Sequence, residues 1–261
     1  MDVYLRKTSL VDYPGKVAAV LFFRGCNLRC PWCHNRELVL SGTESAGGEA
    51  PGGGTAEGVF ISLRAALDRI GRRRAVLGGV VLSGGEPSLC RELGSLIPQL
   101  RDLGLPVNLD TNGTRPEVLE ALFSQAATRP DYIALDLKAA PERYGELLGN
   151  ARDGGPADRS PGDALRKSAS LIRESGIPHE FRSIVFPNGY FGLADIDALA
   201  PLAGKSPWYF RAFRPGNCLD PSWNEIGEPD PGETAVLAEA AGKRTGTGAP
   251  EVSALSSGPL R

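Results

Sequence analysis

The stretch from residue 17 to residue 35, VAAVLFFRGCNLRCPWCHN, joins a wholly apolar run to three closely spaced cysteines. Residues 17–23 carry no polar side chain, which is typical of a parallel strand buried on both faces. Cys26, Cys30 and Cys33 follow with the spacing C-x-x-x-C-x-x-C, and no fourth cysteine stands near them. A loop of this kind can bind three irons of a four-iron cluster and leave one iron open to another ligand. The stretch therefore predicts a buried strand that leads into a reactive iron–sulfur loop.

The spacing of the cysteines also allows two other interpretations, a zinc site and a redox pair. A zinc site would use the three cysteines together with His34, but zinc ligands usually come as two separated pairs, and no second pair is present. Neighbouring Cys33 and His34 would also have difficulty in reaching the same tetrahedral ion. A thioredoxin-like redox pair of Cys30 and Cys33 would leave Cys26 without a role.

Apolar runs and helical patterns alternate along the rest of the chain. The runs predict five further strands, at residues 80–83, 107–110, 132–137, 180–185 and 208–213. Leucine, isoleucine and phenylalanine recur at helical spacing over 60–70 and 89–103, although Pro98 should kink or split the second helix. Pro116 and Ser160-Pro161 predict two more helix starts, and Gly104 and Gly176 stand where helices should end. This alternation predicts an α/β fold with a parallel sheet, in which ligands bind at the carboxyl ends of the strands.

The composition is that of a globular chain. Its 261 residues are 41% hydrophobic, and 29 Lys and Arg nearly balance 31 Asp and Glu for a net charge of −2. Such a balance gives no electrostatic basis for binding nucleic acid or an anionic membrane, and residues 17–23 are too few to span a bilayer. An odd number of cysteines argues against a secreted disulfide framework. We therefore expect a cytoplasmic protein that contacts neither nucleic acid nor membrane.

Two glycine-rich stretches interrupt the pattern. Residues 41–58 lack any large apolar side chain and read as a flexible loop. Residues 241–261 have a similar composition and predict a disordered tail. The organisation expected is one domain over residues 1–240, with the loop inside it and the tail after it.

Polar motifs follow the predicted strands at the edge where a ligand should bind. Ser83-Gly84-Gly85-Glu86-Pro87 combines two glycines, which allow close backbone approach, with a carboxylate suited to an ammonium group. The motif also fits a simple turn into a helix. Further along the chain, the candidate ligand contacts at strand ends are Asp110, Asn112, Asp136, Lys138 and Arg182. Asn112 could equally be part of a turn, and Asp136 with Lys138 could be an exposed ion pair.

Together these motifs resemble the radical S-adenosylmethionine superfamily. Enzymes of that superfamily are partial (β/α)6 TIM-like barrels, so the resemblance implies this fold. It also implies that Cys26, Cys30 and Cys33 hold a [4Fe-4S] cluster whose open iron binds S-adenosylmethionine. One electron then cleaves the cofactor to methionine and a 5′-deoxyadenosyl radical. The residues expected to contact the cofactor are Trp32, His34, Gly84, Gly85, Glu86, Asp110, Asn112, Asp136, Lys138 and Arg182.

The segment Lys7-Thr8-Ser9-Leu10-Val11-Asp12-Tyr13-Pro14-Gly15-Lys16, taken with the cysteine loop, resembles the activating proteins of anaerobic ribonucleoside-triphosphate reductase. This implies that the chain makes a glycyl radical on that partner, with a flavodoxin or ferredoxin-type electron donor. Other functions remain open: activation of another glycyl-radical enzyme such as pyruvate formate-lyase, a small-molecule reaction like that of 7-carboxy-7-deazaguanine synthase, or non-enzymatic electron transfer. Arg211 and Arg214 could bind the cofactor carboxylate or the partner backbone. We expect His179, Cys90 and Cys218 to be structural.

Overall fold

A computed structural model describes residues 1–40, 58–148 and 160–248. Its eight strands in these ranges are β1 (Asp2–Ser9), β2 (Ala18–Phe23), β3 (Gly58–Ser62), β4 (Gly79–Gly84), β5 (Val107–Thr111), β6 (Tyr132–Asp136), β7 (His179–Val185) and β8 (Trp208–Ala212). The helices in the same ranges are α1 (Arg36–Leu40), α2 (Leu63–Arg72), α3 (Leu93–Asp102), α4 (Pro116–Phe123), α5 (Pro161–Glu174), α6 (Leu193–Ala203) and α7 (Pro231–Thr245). Short 3₁₀ segments lie at Pro87–Leu89, Pro141–Leu147 and Pro221–Asn224.

The strands form one sheet in the order β3-β1-β2-β4-β5-β6-β7-β8. The six strands from β2 to β8 in this order run parallel, and they are the six that the sequence predicts. β1 and β3 were not predicted: they add an antiparallel extension beside β2. Within the described residues β3 and β8 pair with no further strand on their outer sides, so the sheet is open, as a partial barrel requires.

The two faces of the parallel sheet differ in chemistry. One face packs against the helices in a continuous apolar core, which includes Leu82, Leu109 and Leu135 from the strands. On the other, inner face the register aligns polar residues: Asp136 lies level with Arg182, and Arg182 with Tyr209. The inner face of β1, β2 and β4 is instead apolar and forms a second, smaller cluster. The inner face therefore has a charged half and an apolar half.

Several predicted boundaries are corrected by the structure. Phe60 was assigned to a helix but belongs to β3, and the helix begins only at Leu63 after its N-cap Ser62. The helix predicted from residue 89 begins at Leu93, and it continues through Pro98 instead of splitting there. The helices predicted to start at Pro116 and after Ser160 are confirmed.

The domain boundaries shift as well. α7 extends to Thr245 with Ala241 fully buried, so the tail predicted from residue 241 starts too early; residues 249–261 lie outside the described residues. The predicted loop over 41–58 also falls outside the described residues, apart from Gly58, which begins β3. Among the helices described, none combines the length and apolar character needed to cross a membrane.

Candidate active site

A cavity of about 230 Å³ lies at the carboxyl edge of the parallel strands. It is lined by every residue that the sequence analysis assigned to the cluster or to the cofactor, from the cysteine loop after β2 to Arg182 in β7. This is the edge at which parallel α/β sheets bind ligands, because loops from several strands converge there. The structure thus brings the predicted residues together, while their individual roles remain predictions.

Backbone hydrogen bonds from distant parts of the chain hold the cysteine loop. The N–H of Arg29 donates to the carbonyl of Leu147 (2.6 Å), and the N–H of Asp220 donates to the carbonyl of Pro31 (2.9 Å). The side-chain amide of Asn217 donates to the carbonyl of His34 (3.0 Å) and to the carboxylate of Glu37 (3.0 Å). Segments more than 100 residues away in the chain therefore hold the loop, in addition to hydrogen bonds within it such as that from Cys33 N–H to the Cys30 carbonyl (3.0 Å).

The three thiols fit an iron–sulfur cluster. Burial raises the pKa of Cys26 to about 11 and that of Cys30 to about 12, and it also raises the pKa of Cys33. A buried thiolate is stabilised by positive charge, which the irons of a cluster would supply, and by hydrogen bonds. One such hydrogen bond is present: the Leu28 N–H donates to Cys26 Sγ at 3.4 Å. In the described part of the chain, no three His, Cys, Asp or Glu side chains converge on a single ion.

Gly84 and Gly85 bring the end of β4 against the cysteine loop. Gly84 has φ +121°, and a Cβ there would lie 2.2 Å from the Phe23 backbone nitrogen. A Cβ on Gly85 would lie 1.8 Å from the carbonyl oxygen of Gly25. The sequence predicted a close backbone approach to a ligand; in the structure the closest approach is to the backbone that leads into the cysteines.

Glu86 is buried in the turn after β4, with 1% of its surface exposed. Its carboxylate accepts hydrogen bonds from Ser88 N–H (3.0 Å), the Thr111 hydroxyl (2.8 Å) and Asn112 N–H (2.8 Å). Burial raises its pKa, while these donors act in the opposite direction. Glu86 therefore ties the end of β4 to the end of β5, in addition to lining the cavity.

The side-chain amide of Asn112 makes hydrogen bonds within its own turn and to the cysteine loop. Its Oδ1 accepts from the N–H (3.0 Å) and the hydroxyl (2.6 Å) of Thr114, and its Nδ2 donates to Asn27 (3.0 Å) and weakly to Cys26 Sγ (3.9 Å). The turn interpretation left open by the sequence is thus present in the structure. Its amide also connects β5 to the cysteine loop.

Charged side chains at the ends of β5, β6 and β7 form one ion-pair network. Arg182 binds Asp110 (2.9 Å) and Asp136 (3.2 Å), and Lys138 binds Asp136 (3.0 Å). Burial would raise the pKa of Asp136, but Lys138 and Arg182 outweigh it and lower the pKa to about 2. For Asp110 burial outweighs Arg182, and the pKa rises to about 6. The Asp136–Lys138 pair is therefore part of the cavity wall.

Tyr144 fixes the backbone that carries this network, and the sequence analysis did not find it. Its hydroxyl accepts from the N–H of Lys138 (3.0 Å) and donates to the carbonyl of Asp136 (3.0 Å), and the residue is fully buried. Tyr144 lies in the 3₁₀ segment after β6, where no periodic pattern or motif marks it. Arg211, whose role the sequence left undecided, also lines the cavity.

Trp32 and His34 line the cavity but mainly pack against aromatic rings. Trp32 lies within 4.8 Å of Phe186, 4.9 Å of Tyr190 and 5.2 Å of Trp223, measured between ring centroids. His34 lies 6.0 Å from Phe213. Burial lowers the pKa of His34, and its Nε2 has no hydrogen-bond partner within the described ranges. His34 is thus a neutral group with one free ring nitrogen in the wall.

Comparisons with known proteins agree with this site. The model of the radical SAM superfamily matches residues 20–197. A Methanocaldococcus jannaschii protein assigned as a glycyl-radical enzyme activating enzyme is 29% identical over 90% of this chain and 89% of its own length. A pyruvate formate-lyase-activating enzyme from Clostridium pasteurianum is 33% identical over 51% of this chain and 50% of its own. A 7-carboxy-7-deazaguanine synthase from Rhodospirillum rubrum is 36% identical over 39% of this chain and 36% of its own.

Among solved structures, a radical SAM methyltransferase from Sphaerobacter thermophilus superposes with a TM-score of 0.66. The match covers 95% of this chain and 71% of that one, at 15% sequence identity. At this identity the likeness concerns the fold, which agrees with the predicted partial barrel.

Proposed function

Because the chain belongs to the radical SAM superfamily, we propose that it generates a glycyl radical on anaerobic ribonucleoside-triphosphate reductase. The observation that carries this proposal is the match to the Methanocaldococcus jannaschii protein, which spans nearly the whole of both chains. The choice of the reductase as partner rests on the segment from Lys7 to Lys16 and its resemblance to activators of that enzyme.

The chain is an enzyme that uses a [4Fe-4S] cluster and S-adenosylmethionine. When bound, these groups supply a 5′-deoxyadenosyl radical that removes a hydrogen atom from the substrate. We assign cluster binding to Cys26, Cys30 and Cys33, whose thiols line the cavity. Glu86 and the Asp136–Lys138 pair offer opposite charges to the amino and carboxylate groups of the cofactor. The apolar packing around Trp32 keeps water out of this part of the wall.

The partner and the electron donor follow from the same proposal. A glycine suits as substrate because its backbone can enter a cavity without a side chain. The electron would come from a flavodoxin or ferredoxin-type protein. All five cysteines are free thiols, which supports a reducing, cytoplasmic location.

The test is electron paramagnetic resonance on the reduced, cluster-loaded protein mixed with S-adenosylmethionine and an anaerobic ribonucleotide reductase from the same source. A glycyl doublet on the reductase is the expected result. A protein with an intact cluster that cleaves the cofactor and yet gives no doublet on the reductase would contradict the proposal. Pyruvate formate-lyase in place of the reductase is the comparison for the nearest alternative, since an activator of that enzyme also matches.

A small-molecule reaction is the second candidate function. The 7-carboxy-7-deazaguanine synthase match favours it, although that match covers little more than a third of either chain. A small-molecule enzyme would transfer hydrogen without any protein partner. A protein-free extract of small metabolites offered in place of the reductase would then stimulate release of 5′-deoxyadenosine, whereas an activator would respond only to its protein partner.

A further inference from the structure

Arg211 is a cation on the cavity wall without an ion-pair partner among the described residues. It lies in β8 level with Ile184 of β7, one residue before the strand ends. Its Nε is buried with no hydrogen-bond partner in the described ranges, and its side chain lines the same cavity as the cysteines. A buried guanidinium N–H without an acceptor is unfavourable, because it has lost water and gained no hydrogen bond, and the half-buried side chain that carries it lines the cavity. The position therefore needs an acceptor that arrives with a ligand.

The carboxylates near Arg211 are already bound to other groups. Asp110 and Asp136 bind Arg182, and Asp136 also binds Lys138. Glu180 accepts a hydrogen bond from the Tyr132 hydroxyl at 2.9 Å. The charged half of the inner face thus satisfies its two other cations internally and leaves Arg211 as the exception.

The chemistry of Arg211 selects the kind of ligand group. A planar guanidinium has five N–H donors and no acceptor, so it matches a carbonyl or carboxylate oxygen and repels an ammonium or sulfonium group. Burial and the nearby Arg182 lower the pKa of Arg211, and the carboxylates of Asp136, Glu180 and Asp110 offset this lowering only in part.

Arg211 lies farther along the sheet than most of the groups assigned to the cofactor, in the strand next to the one that carries Arg182. Glu86 follows β4, and Asp136 and Lys138 stand at the end of β6. Arg211 belongs to β8, the edge strand, which pairs only with β7 in the described sheet. An edge strand borders the open side of the barrel, where a chain segment from another protein can enter.

We propose that Arg211 donates hydrogen bonds to a backbone carbonyl oxygen of the glycine-containing segment of the partner protein. It thereby positions that segment so that the glycine Cα faces the 5′ carbon of the deoxyadenosyl radical. This inference rests on the proposed function and names the residue of the same site that holds the substrate.

The test compares Arg211→Met and Arg211→Lys with wild type, with the exposed Arg166→Met as control. The probes are the reductase and the peptide Ac-Ala-Ala-Gly-Ala-Ala-NH2, both deuterated at the glycine Cα. Three quantities are measured on cluster-loaded protein: S-adenosylmethionine affinity by equilibrium dialysis, cofactor cleavage without substrate, and deuterium transfer to 5′-deoxyadenosine. Arg211→Met should lower transfer at least about tenfold more than it lowers either of the first two quantities, as expected for a lost charge-assisted hydrogen bond to the substrate. Arg211→Lys should restore part of the transfer.

Other results would overturn the inference in distinguishable ways. A matching loss of S-adenosylmethionine affinity in Arg211→Met would show that the acceptor is the cofactor carboxylate. Unchanged transfer from both probes would show that Arg211 holds no substrate. If wild type itself transfers no deuterium from either probe while it cleaves the cofactor, the proposed function fails, and this ligand for Arg211 fails with it.

Discussion

Three of the five cysteines line the cavity and two do not. Cys26, Cys30 and Cys33 line the cavity, whereas Cys90 and Cys218 are buried and absent from its described lining. Cys218 is nevertheless within electrostatic reach of Cys33. The two sets therefore differ in whether the residue lines the cavity.

Replacing each cysteine by alanine tests this division. Cys26→Ala, Cys30→Ala and Cys33→Ala should each abolish binding of the four-iron cluster after anaerobic reconstitution, because a cluster on two thiolates is not retained. Cys90→Ala and Cys218→Ala should keep the iron and sulfide content of wild type. Iron loss in Cys218→Ala would identify a fourth ligand and contradict the open iron position.

Asp110 should give the iron-free protein a measurable pH dependence. Its pKa in the folded state is about 6, above the ordinary value near 3.9, so between these pH values the folded state holds a proton that the unfolded state has released. The free energy of unfolding should therefore fall by about 2 kcal/mol as the pH rises through this window. Urea unfolding at pH 4.5 and 7 should show this decrease in wild type, and Asp110→Asn should remove it.

Asp136 provides the matched control for that titration. Its folded pKa is lowered to about 2, so the stability it contributes is complete above about pH 4 and is lost only as the pH falls through about 2. Asp136→Asn should therefore destabilise the protein at both pH 4.5 and pH 7, and it should reduce the pH dependence without removing it, because the Asp136 charge contributes to the raised pKa of Asp110. If the free energy of unfolding still depends on pH in Asp110→Asn but no longer does so in Asp136→Asn, the group that titrates in this range is Asp136 and not Asp110.

Tyr144 should control the cofactor site without touching the cofactor. Tyr144→Phe removes the hydroxyl that joins the Asp136 carbonyl to the Lys138 N–H and leaves both without that partner, at a cost of about 1–3 kcal/mol. We expect weaker S-adenosylmethionine binding with unchanged iron content, measured by equilibrium dialysis and iron assay. Tyr190→Phe keeps the ring contacts with Trp32 and is the control. Equal affinities in the two variants would show that the β6 end does not need this bridge.

The turn after β4 couples one strand to the iron–sulfur loop. Gly85 N–H donates to the Phe23 carbonyl and Glu86 N–H to the Gly25 carbonyl, both at 2.9 Å, so this turn and the start of the cysteine loop are joined backbone to backbone. The contact is so close that a single methyl group cannot be inserted. The two elements must therefore move together.

Gly85→Ala tests this coupling between elements. Its Cβ would overlap the Gly25 carbonyl, so the cysteine loop must shift, and we expect less than half of the wild-type iron after reconstitution together with lower stability. Gly71→Ala in α2 is the control, because its Cβ meets only Leu103 at an ordinary 3.5 Å. Wild-type iron content in Gly85→Ala would mean that the loop tolerates displacement of the β4 end.

Over the whole molecule, the segment after β8 closes the site by returning to the beginning of the chain. Asn217 reaches His34 and Glu37, and Asp220 reaches Pro31. Asn217 adopts φ +55°, a left-handed conformation that asparagine tolerates. The C-terminal part thus supports the cysteine loop in addition to the contacts from the turn after β4.

Asn217→Gly isolates this support, since glycine accepts the same backbone conformation without the side chain. Loss of two hydrogen bonds worth about 1–2 kcal/mol should speed cluster loss to a chelator by roughly 5- to 30-fold, followed by visible absorbance. Exposed Asn188→Gly serves as control. A chelation rate equal to that of wild type would show that this segment does not hold the loop.

Sequence patterns were sufficient where the cause is local. The six parallel strands were found because each is a short apolar run whose burial depends on its own side chains. The cysteine spacing and the glycine pair were found because each motif consists of residues that are close together in the sequence. β1 was missed because it carries charged residues such as Arg6, which pairs with Asp12 and lies over the Phe22 ring.

Tertiary structure decided the rest, because those interactions join residues far apart in the chain. No local pattern shows that Arg182 is shared by Asp110 and Asp136, that Tyr144 bridges the backbone at the end of β6, or that Arg211 Nε is buried without an acceptor in the described residues. These outcomes depend on strand order and register, which bring the ends of β5, β6, β7 and β8 side by side. Ion pairing and desolvation act through space, so they become definite only when the sheet has formed.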